Sequence, residues 1–289
     1  MPTLLYTHLG GLDNILRNDY NRNSAGEVIY LSEGYMYDVA IQAVTDVEWR
    51  AVQAMYADWR DASEPDGGEE CLTTAFRRGG RTYRVAAMRQ CEMGSTAGAA
   101  TAMKLIARFR PRFIIMVGIA AGLMEEGAHS QFYGDVIVAD EVWNCSSGKF
   151  VSPEGAPISF HGVGFVPRPK SIALLSDIRE QIEAAINSPE NQCHVHIGPL
   201  ACGQFVMASR LVVSLNILAQ RSESVGLDME SYGVAYAAQH SAAPRPTAII
   251  VKSVCDFADS AKSDKYQKFA AHTSCEFAQL LYEKFLRLD

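Results

Sequence analysis

No apolar run in these 289 residues reaches the ~18–20 positions of a membrane-spanning helix. The first eleven residues lack the basic start and apolar core of a secretory leader. Both absences point to a cytoplasmic chain that does not enter a membrane. Paired cysteine patterns are missing too. The seven cysteines (Cys71, Cys91, Cys145, Cys193, Cys202, Cys255 and Cys275) are odd in number and contain no C-x-x-C pair. Several sit in apolar runs, as buried free thiols do, so a disulfide framework is excluded and a reducing compartment is expected. Positive charge is in deficit, with 26 Lys+Arg against 33 Asp+Glu and a net charge of -7. Duplex binders neutralise phosphates with Lys and Arg, so no nucleic-acid partner is expected. A local basic pocket for a small anion remains compatible with this balance. The segment VGIAAGL lacks the G-x-G-x-x-G spacing and ribose acid of a dinucleotide site. His194 and His196 alternate onto one face beside Cys193, but no second matched set of ligands accompanies them. No metal and no cofactor are therefore expected.

What is present is an ordinary globular composition, 48% hydrophobic and 20% charged, with enough length for one large core. Residues 1–34 are polar, rich in Asn, Gly and Tyr, and weakly periodic; they read as an arm or linker ahead of a domain over 35–289. The spacing predicts a strand over 37–44. A helix follows, with Thr45 or Asp46 as its cap and Val47, Ala51, Met55 and Trp59 on one face. Residues 74–90 read as a hairpin turning at Gly79-Gly80. An Ala-rich helix over 95–109 precedes a buried strand over 112–123 that runs into a glycine turn. A strand over 134–143, a helix over 169–186 and an extended segment with a loop over 194–207 come next. Helix over 210–220, then strand, turn and helix over 225–240, a strand over 247–256 and a helix over 265–288 complete the chain. Strands alternating with helices predict an α/β fold, a central twisted mixed sheet covered on both faces. Such sheets place ligands beyond the carboxyl ends of their strands.

Three acids stand at such ends: Glu48, Glu230 and Asp256. Any one alone is more often a helix cap or an ion-pair partner than a functional group. Their context is more specific. The ordered segments MVGIAAGL, GDVIVAD, ACGQFVMAS, GLDMESYGVAYAA and VKSVCDFAD resemble the motifs of the purine nucleoside phosphorylase / methylthioadenosine nucleosidase superfamily over residues 37–288. The stretch CDFADSAKSDKYQKFAAHTS resembles nucleosidase-type domains attached to larger signalling or defence proteins. The resemblance implies the three-layer nucleoside phosphorylase-like fold, a purine nucleoside or nucleotide as partner, and a homo-oligomer. It also implies roles. Asp256 meets purine N7, Glu230 grips the ribose 2′- and 3′-hydroxyls, and Met229 packs under the sugar. Phe205, with Gln204 and Val206, stacks on and reads the base. Gly118, Ile119 and Ala120 form the turn beside the ribose, and Glu48 activates water.

These residue types suit cleavage of an N-glycosidic bond. Purine leaves poorly as an anion, so a carboxylic acid at N7 lowers the barrier. Oxocarbenium charge grows on the sugar, as in glycoside hydrolysis, and a carboxylate on the diol steadies it. The first turn, AVTDVEWR, carries Asp46 and Glu48 where the phosphorylases hold phosphate. Carboxylates repel phosphate and activate water, so hydrolysis is favoured. Arg89 and Arg50 keep phosphorolysis as the alternative, and a catalytically inactive nucleotide sensor is the third reading. Ile119 and Ala121 depart from the Ser and Gly common in small nucleosidases, which points to a differently shaped pocket. Three basic groups, Arg77/Arg78/Arg81/Arg84, Lys262/Lys265/Lys268 and Arg168/Lys170, would suit a 5′-phosphorylated substrate if two of them converged at its 5′ end.

Overall fold

The computed structural model describes residues 34–64, 68–124, 130–152, 154, 156, 158–160, 163–173 and 176–288. The arm expected over 1–34 lies outside the described residues, Gly34 excepted. The first described elements are strand β1 (Tyr37–Ala43), helix α1 (Asp46–Ala54) and the short β2 (Arg60–Asp61). A hairpin of β3 (Cys71–Arg78) and β4 (Arg81–Arg89) follows, then α2 (Ser95–Phe109), β5 (Pro111–Gly122) and β6 (Val136–Asn144). Three strands, β7 (Gly148–Val151), β8 (Ile158–Phe160) and β9 (Val163–Pro167), form a separate small antiparallel sheet. Next come β10 (Lys170–Ala173), α3 (Ser176–Ile186), β11 (Val195–Cys202) and α4 (Arg210–Val213), which runs on as a π-turn over Ser214–Leu218. The final elements are β12 (Gly226–Asp228), α5 (Ser231–His240), β13 (Thr247–Asp256) and α6 (Gln267–Leu280).

The main sheet is mixed. Its order is β10-β6-β11-β12-β5-β1-β4-β3-β2, and β13 bridges β5 and β6. Because β13 pairs with both, the path β5-β12-β11-β6-β13 closes on itself as a five-stranded ring. Strand alternation divides the core into two layers. Val39, Ile41, Val85, Phe113, Ile115 and Val251 face α1, α3, α6 and the π-turn Leu281–Phe285 that continues α6, where Trp49, Val52, Ile182, Phe277 and Tyr282 cover them. Ala40, Ala86, Ile114, Met116 and Ile250 face α2 and α5, covered by Leu105, Ile106, Phe109, Val234 and Ala238. Each large side chain buried this way contributes roughly 1.5–3 kcal/mol. The three-layer α/β architecture expected from the sequence is the one observed.

One local reading changes. Residues 170–173, read as the first turn of a helix, form a strand paired antiparallel with β6, and the helix starts only at Ser176. Edge pairing there outweighs the helical pattern. Helix α1 ends at Ala54; Glu48, Trp49 and Val52 are its fully buried residues, and Ala51, Met55 and Trp59 of the expected face pack half-buried against the same core. The sheet of β7, β8 and β9 carries no sequence reading at all.

Candidate active site

The strands β1, β5, β11, β12 and β13 end around one cleft of about 210 Å³. Its lining includes Glu48, Ile119, Ala120, Phe205, Val206, Met229, Glu230 and Asp256. The structure therefore brings together eight of the eleven side chains singled out above.

Glu48 is placed by a capping box. Thr45 Oγ1 accepts from Glu48 N at 3.3 Å, while Glu48 Oε2 accepts from Thr45 N at 2.7 Å, Thr45 Oγ1 at 3.0 Å and Val44 N at 3.1 Å. Oε1 accepts from Ile119 N at 2.8 Å, which ties the start of α1 to the end of β5. This approach needs Gly118. Its φ is +148°, and a Cβ there would run into the Glu48 carboxylate.

Glu230 closes the opposite side. It is buried, and Oε1 accepts from Gly94 N at 2.8 Å. Burial pushes its carboxyl up to about 7; Lys252 opposes the rise, and Asp228 adds to it. Lys252 is the residue that sequence reading passed over. It sits inside β13 with 0% exposure, and its ammonium lies 3.4 Å from Asp228 Oδ2. Among the described residues it makes no well-aligned hydrogen bond. Desolvation works against its charge, but Asp228, Glu48 and Glu230 together outweigh this and hold it above the usual lysine range. The only signal in the sequence is a lone Lys in the apolar run TAIIVKSV. Asp228 is in turn held by Ser231, whose Oγ donates to Oδ1 at 2.7 Å at the start of α5.

Asp256 ends β13. Val254 and Asp256 pair with the consecutive residues Ala120 and Ala121, so Cys255 forms a bulge that shifts the alternation at the strand's last residue. Asp256 is 3% exposed. Its Oδ1 accepts from Ala258 N at 2.9 Å, and its Oδ2 accepts from Lys262 Nζ at 2.7 Å. Phe205 and Val206 form an open wall, 70% and 58% exposed.

The remaining candidates lie elsewhere. Gly118 sits beneath Glu48, its N donating to Ser274 Oγ at 2.8 Å. Gln204 is exposed, and its backbone N donates to Ser146 Oγ at 3.0 Å. Arg89 does not line the cleft; it pairs with Glu70 at 2.8 Å and with Asp46. The basic clusters do not converge. Arg78 donates to the carbonyls of Glu283 and Leu286, and Arg84 to that of Met36, whereas Lys262 lines the cleft. His194 Nδ1 and His196 Nε2 both lie 2.8 Å from Oδ2 of the buried Asp135, a group remote in sequence that joins β6 to β11.

With the fold and cleft in place, the comparisons with known proteins define the class. The sequence pattern of the phosphorylase superfamily matches residues 51–287, and the chain belongs to that family. Among relatives, an uncharacterized protein y4jS of Sinorhizobium fredii is 27% identical over 272 residues, covering 91% of this chain and 65% of that protein. An ATP nucleosidase, Cap17 of Escherichia coli, is 25% identical over 203 residues, covering 62% of this chain and 37% of the relative. The chain thus spans less than two thirds of the length of these curated relatives. Of solved structures, the 5′-methylthioadenosine/S-adenosylhomocysteine nucleosidase of Neisseria meningitidis, in complex with methylthio-immucillin-A, superposes with a TM-score of 0.67 at 20% identity. That match covers 85% of this chain and 98% of the other. Futalosine hydrolase of Helicobacter pylori superposes equally well at 17% identity, covering 86% of this chain and 98% of the other.

Proposed function

We propose that the chain hydrolyses the N-glycosidic bond of an adenine nucleoside or nucleotide. The observation that carries this reading is the convergence of Glu48, Glu230 and Asp256 on one cleft beside the exposed ring of Phe205. The base stacks against Phe205, and Asp256, in its protonated form, meets N7. As the C1′–N9 bond breaks, its electron pair moves into the purine and the Asp256 proton goes to N7. Glu230 accepts the two ribose hydroxyls and faces the positive charge growing at C1′. A water held by Glu48 attacks C1′ and passes its proton to Oε1, the oxygen that takes only one protein hydrogen bond among those described. General acid and base assistance of this kind contributes roughly 10²–10⁴-fold for each group. The products are free base and the ribose moiety, and both carboxyls then exchange protons with solvent.

Water is favoured over phosphate by the charge of the lining. Among its described residues the one cationic side chain is Lys262, which pairs with Asp256 and not with the Glu48 side. The ATP nucleosidase and methylthioadenosine nucleosidase among the similar proteins support an adenine-bearing substrate. The test is to incubate the chain with adenosine, methylthioadenosine, AMP and ATP, with and without phosphate, and to measure free adenine by chromatography. Adenine release independent of phosphate is expected. Release only with phosphate, accompanied by ribose 1-phosphate, would replace hydrolysis by phosphorolysis. Binding without any release would make the chain a sensor.

A further inference from the structure

Asp256 presents a chemical problem that the hydrolysis reading leaves open. A donor to N7 needs a proton on an oxygen that points at the base, and one of the two Asp256 oxygens is taken up by an ammonium. Oδ1 takes Ala258 N–H, and Oδ2 takes the Lys262 ammonium at 2.7 Å, with Cys255 Sγ 3.3 Å away. A proton on Oδ2 would face the N–H of the ammonium. Asp256 Oδ2 is the ion-pair partner of Lys262, and that oxygen is free to meet a ligand once Lys262 has left.

Lys262 is built to leave. Unlike Lys252, which is sealed in β13, the Lys262 side chain is 35% exposed and belongs to the loop between β13 and the 3₁₀ turn Asp264–Tyr266. Ala258, at φ +52°, bends that loop, and Lys262 returns over the strand end that it follows by six residues. Its ammonium lines the cleft together with Phe205, Met207 and Gln267. The rest of the cleft is negative, with Glu48, Asp228 and Glu230 on its far side. Among the described lining residues an anionic substrate group therefore has one cation to meet. Geometry fixes which group that is: in an anti purine nucleotide the 5′-phosphate hangs over the C8–N7 edge, the same edge that Asp256 must reach.

We propose that Lys262 selects 5′-phosphorylated substrates by counter-ion exchange. A 5′-phosphate oxygen takes over the Lys262 N–H bond, Oδ2 is released, and Asp256 acquires a proton from solvent, which it delivers to N7 as C1′–N9 breaks. Nucleosides lack the exchanging anion and meet an Asp256 that is still paired. Lys262 acts through Asp256 on the proton step and directly on the phosphate, so it is a specificity-determining residue. The inference rests on the hydrolysis reading, and the two fail in different ways.

The experiment compares adenine release from adenosine, AMP and ATP by the full chain and by Lys262→Met and Lys262→Arg. The unmodified protein is expected to favour the two nucleotides over adenosine by roughly 10–100-fold in kcat/KM, the range of a hydrogen bond to a charged group. Lys262→Met is expected to lower nucleotide turnover by a similar factor while raising adenosine turnover, so the two substrates move in opposite directions. Lys262→Arg is expected to keep most of the preference. Equal turnover of adenosine and AMP by the unmodified protein would overturn the exchange and leave hydrolysis standing. So would a Lys262→Met variant, folded by circular dichroism, in which all three substrates fall by one common factor; that is the outcome of a merely structural ion pair. Absence of adenine from every substrate with the unmodified protein would overturn both readings.

Discussion

Glu230 and Asp256 are both buried carboxylates at strand ends on one cleft, 7% and 3% exposed, yet their surroundings differ. Glu230 has a backbone N–H as its direct partner and shares the field of Lys252 with Asp228 and Glu48; burial wins, and its carboxyl rises to about 7. Asp256 meets an ammonium of its own at 2.7 Å. The buried Lys252 thus serves a group of acids, while the part-exposed Lys262 serves a single acid. Side chains of the same class are prepared in two ways. In the proposed reaction one accepts ligand hydroxyls, and the other donates once a ligand has drawn its partner away.

Four substitutions break or sharpen this contrast. The largest effect is expected from Asp256→Asn, which removes the proton donor and should cut adenine release by about 10²–10⁴-fold with the melting temperature nearly unchanged. Retained turnover would move the acid elsewhere. Lys252→Met should act on the fold instead. Removing one partner of a buried ionic cluster costs about 3–5 kcal/mol, read as a shift of the denaturation midpoint, and a shift below ~1 kcal/mol would show that the cluster has neutralised itself.

Glu230 gives a pH signature. The folded state holds its proton more tightly than the unfolded chain, so stability is lost as pH rises from about 4.5 through about 7 and is level above. The size is about 3 kcal/mol, at ~1.4 kcal/mol per pKa unit. Asp38, pushed by burial to about 6, contributes with the same sign and persists in the variant. Comparing unfolding at pH 5 and pH 8, Glu230→Gln should flatten most of the difference that Asp38 does not explain; an unchanged slope would contradict the burial effect. Smallest is Thr45→Ala. It removes one half of the capping box and should cost about 0.5–2 kcal/mol in a chemical melt, with a visible loss of kcat.

The sequence makes some of this legible and hides the rest for physical reasons. The hairpin of β3 and β4 is local, and Gly79-Gly80 turns it with φ of +59° and +80°. Thr45 caps where its chemistry suggested. The three acids stand at strand ends, and the cleft gathers them. What stays hidden is non-local. Ring closure through β13 depends on strands far apart in sequence. The pairing of Arg89 with Asp46 and Glu70 removes a cation that spacing alone left available for phosphate. Lys252 reads as an oddity in an apolar strand until Asp228 is seen beside it. Asp135 likewise meets His194 and His196 only through the pairing of β6 with β11.

The four donors on Glu48 carry a consequence for dynamics. The amides of Val44, Thr45 and Ile119 all end on one carboxylate, so they can exchange with solvent only when that carboxylate lets go. Deuterium uptake at these three positions would then form a single clock. Its rate would report how often the first turn of α1, the end of β5 and the attacking water lose their common anchor, and a ligand that holds the water in place should slow all three together.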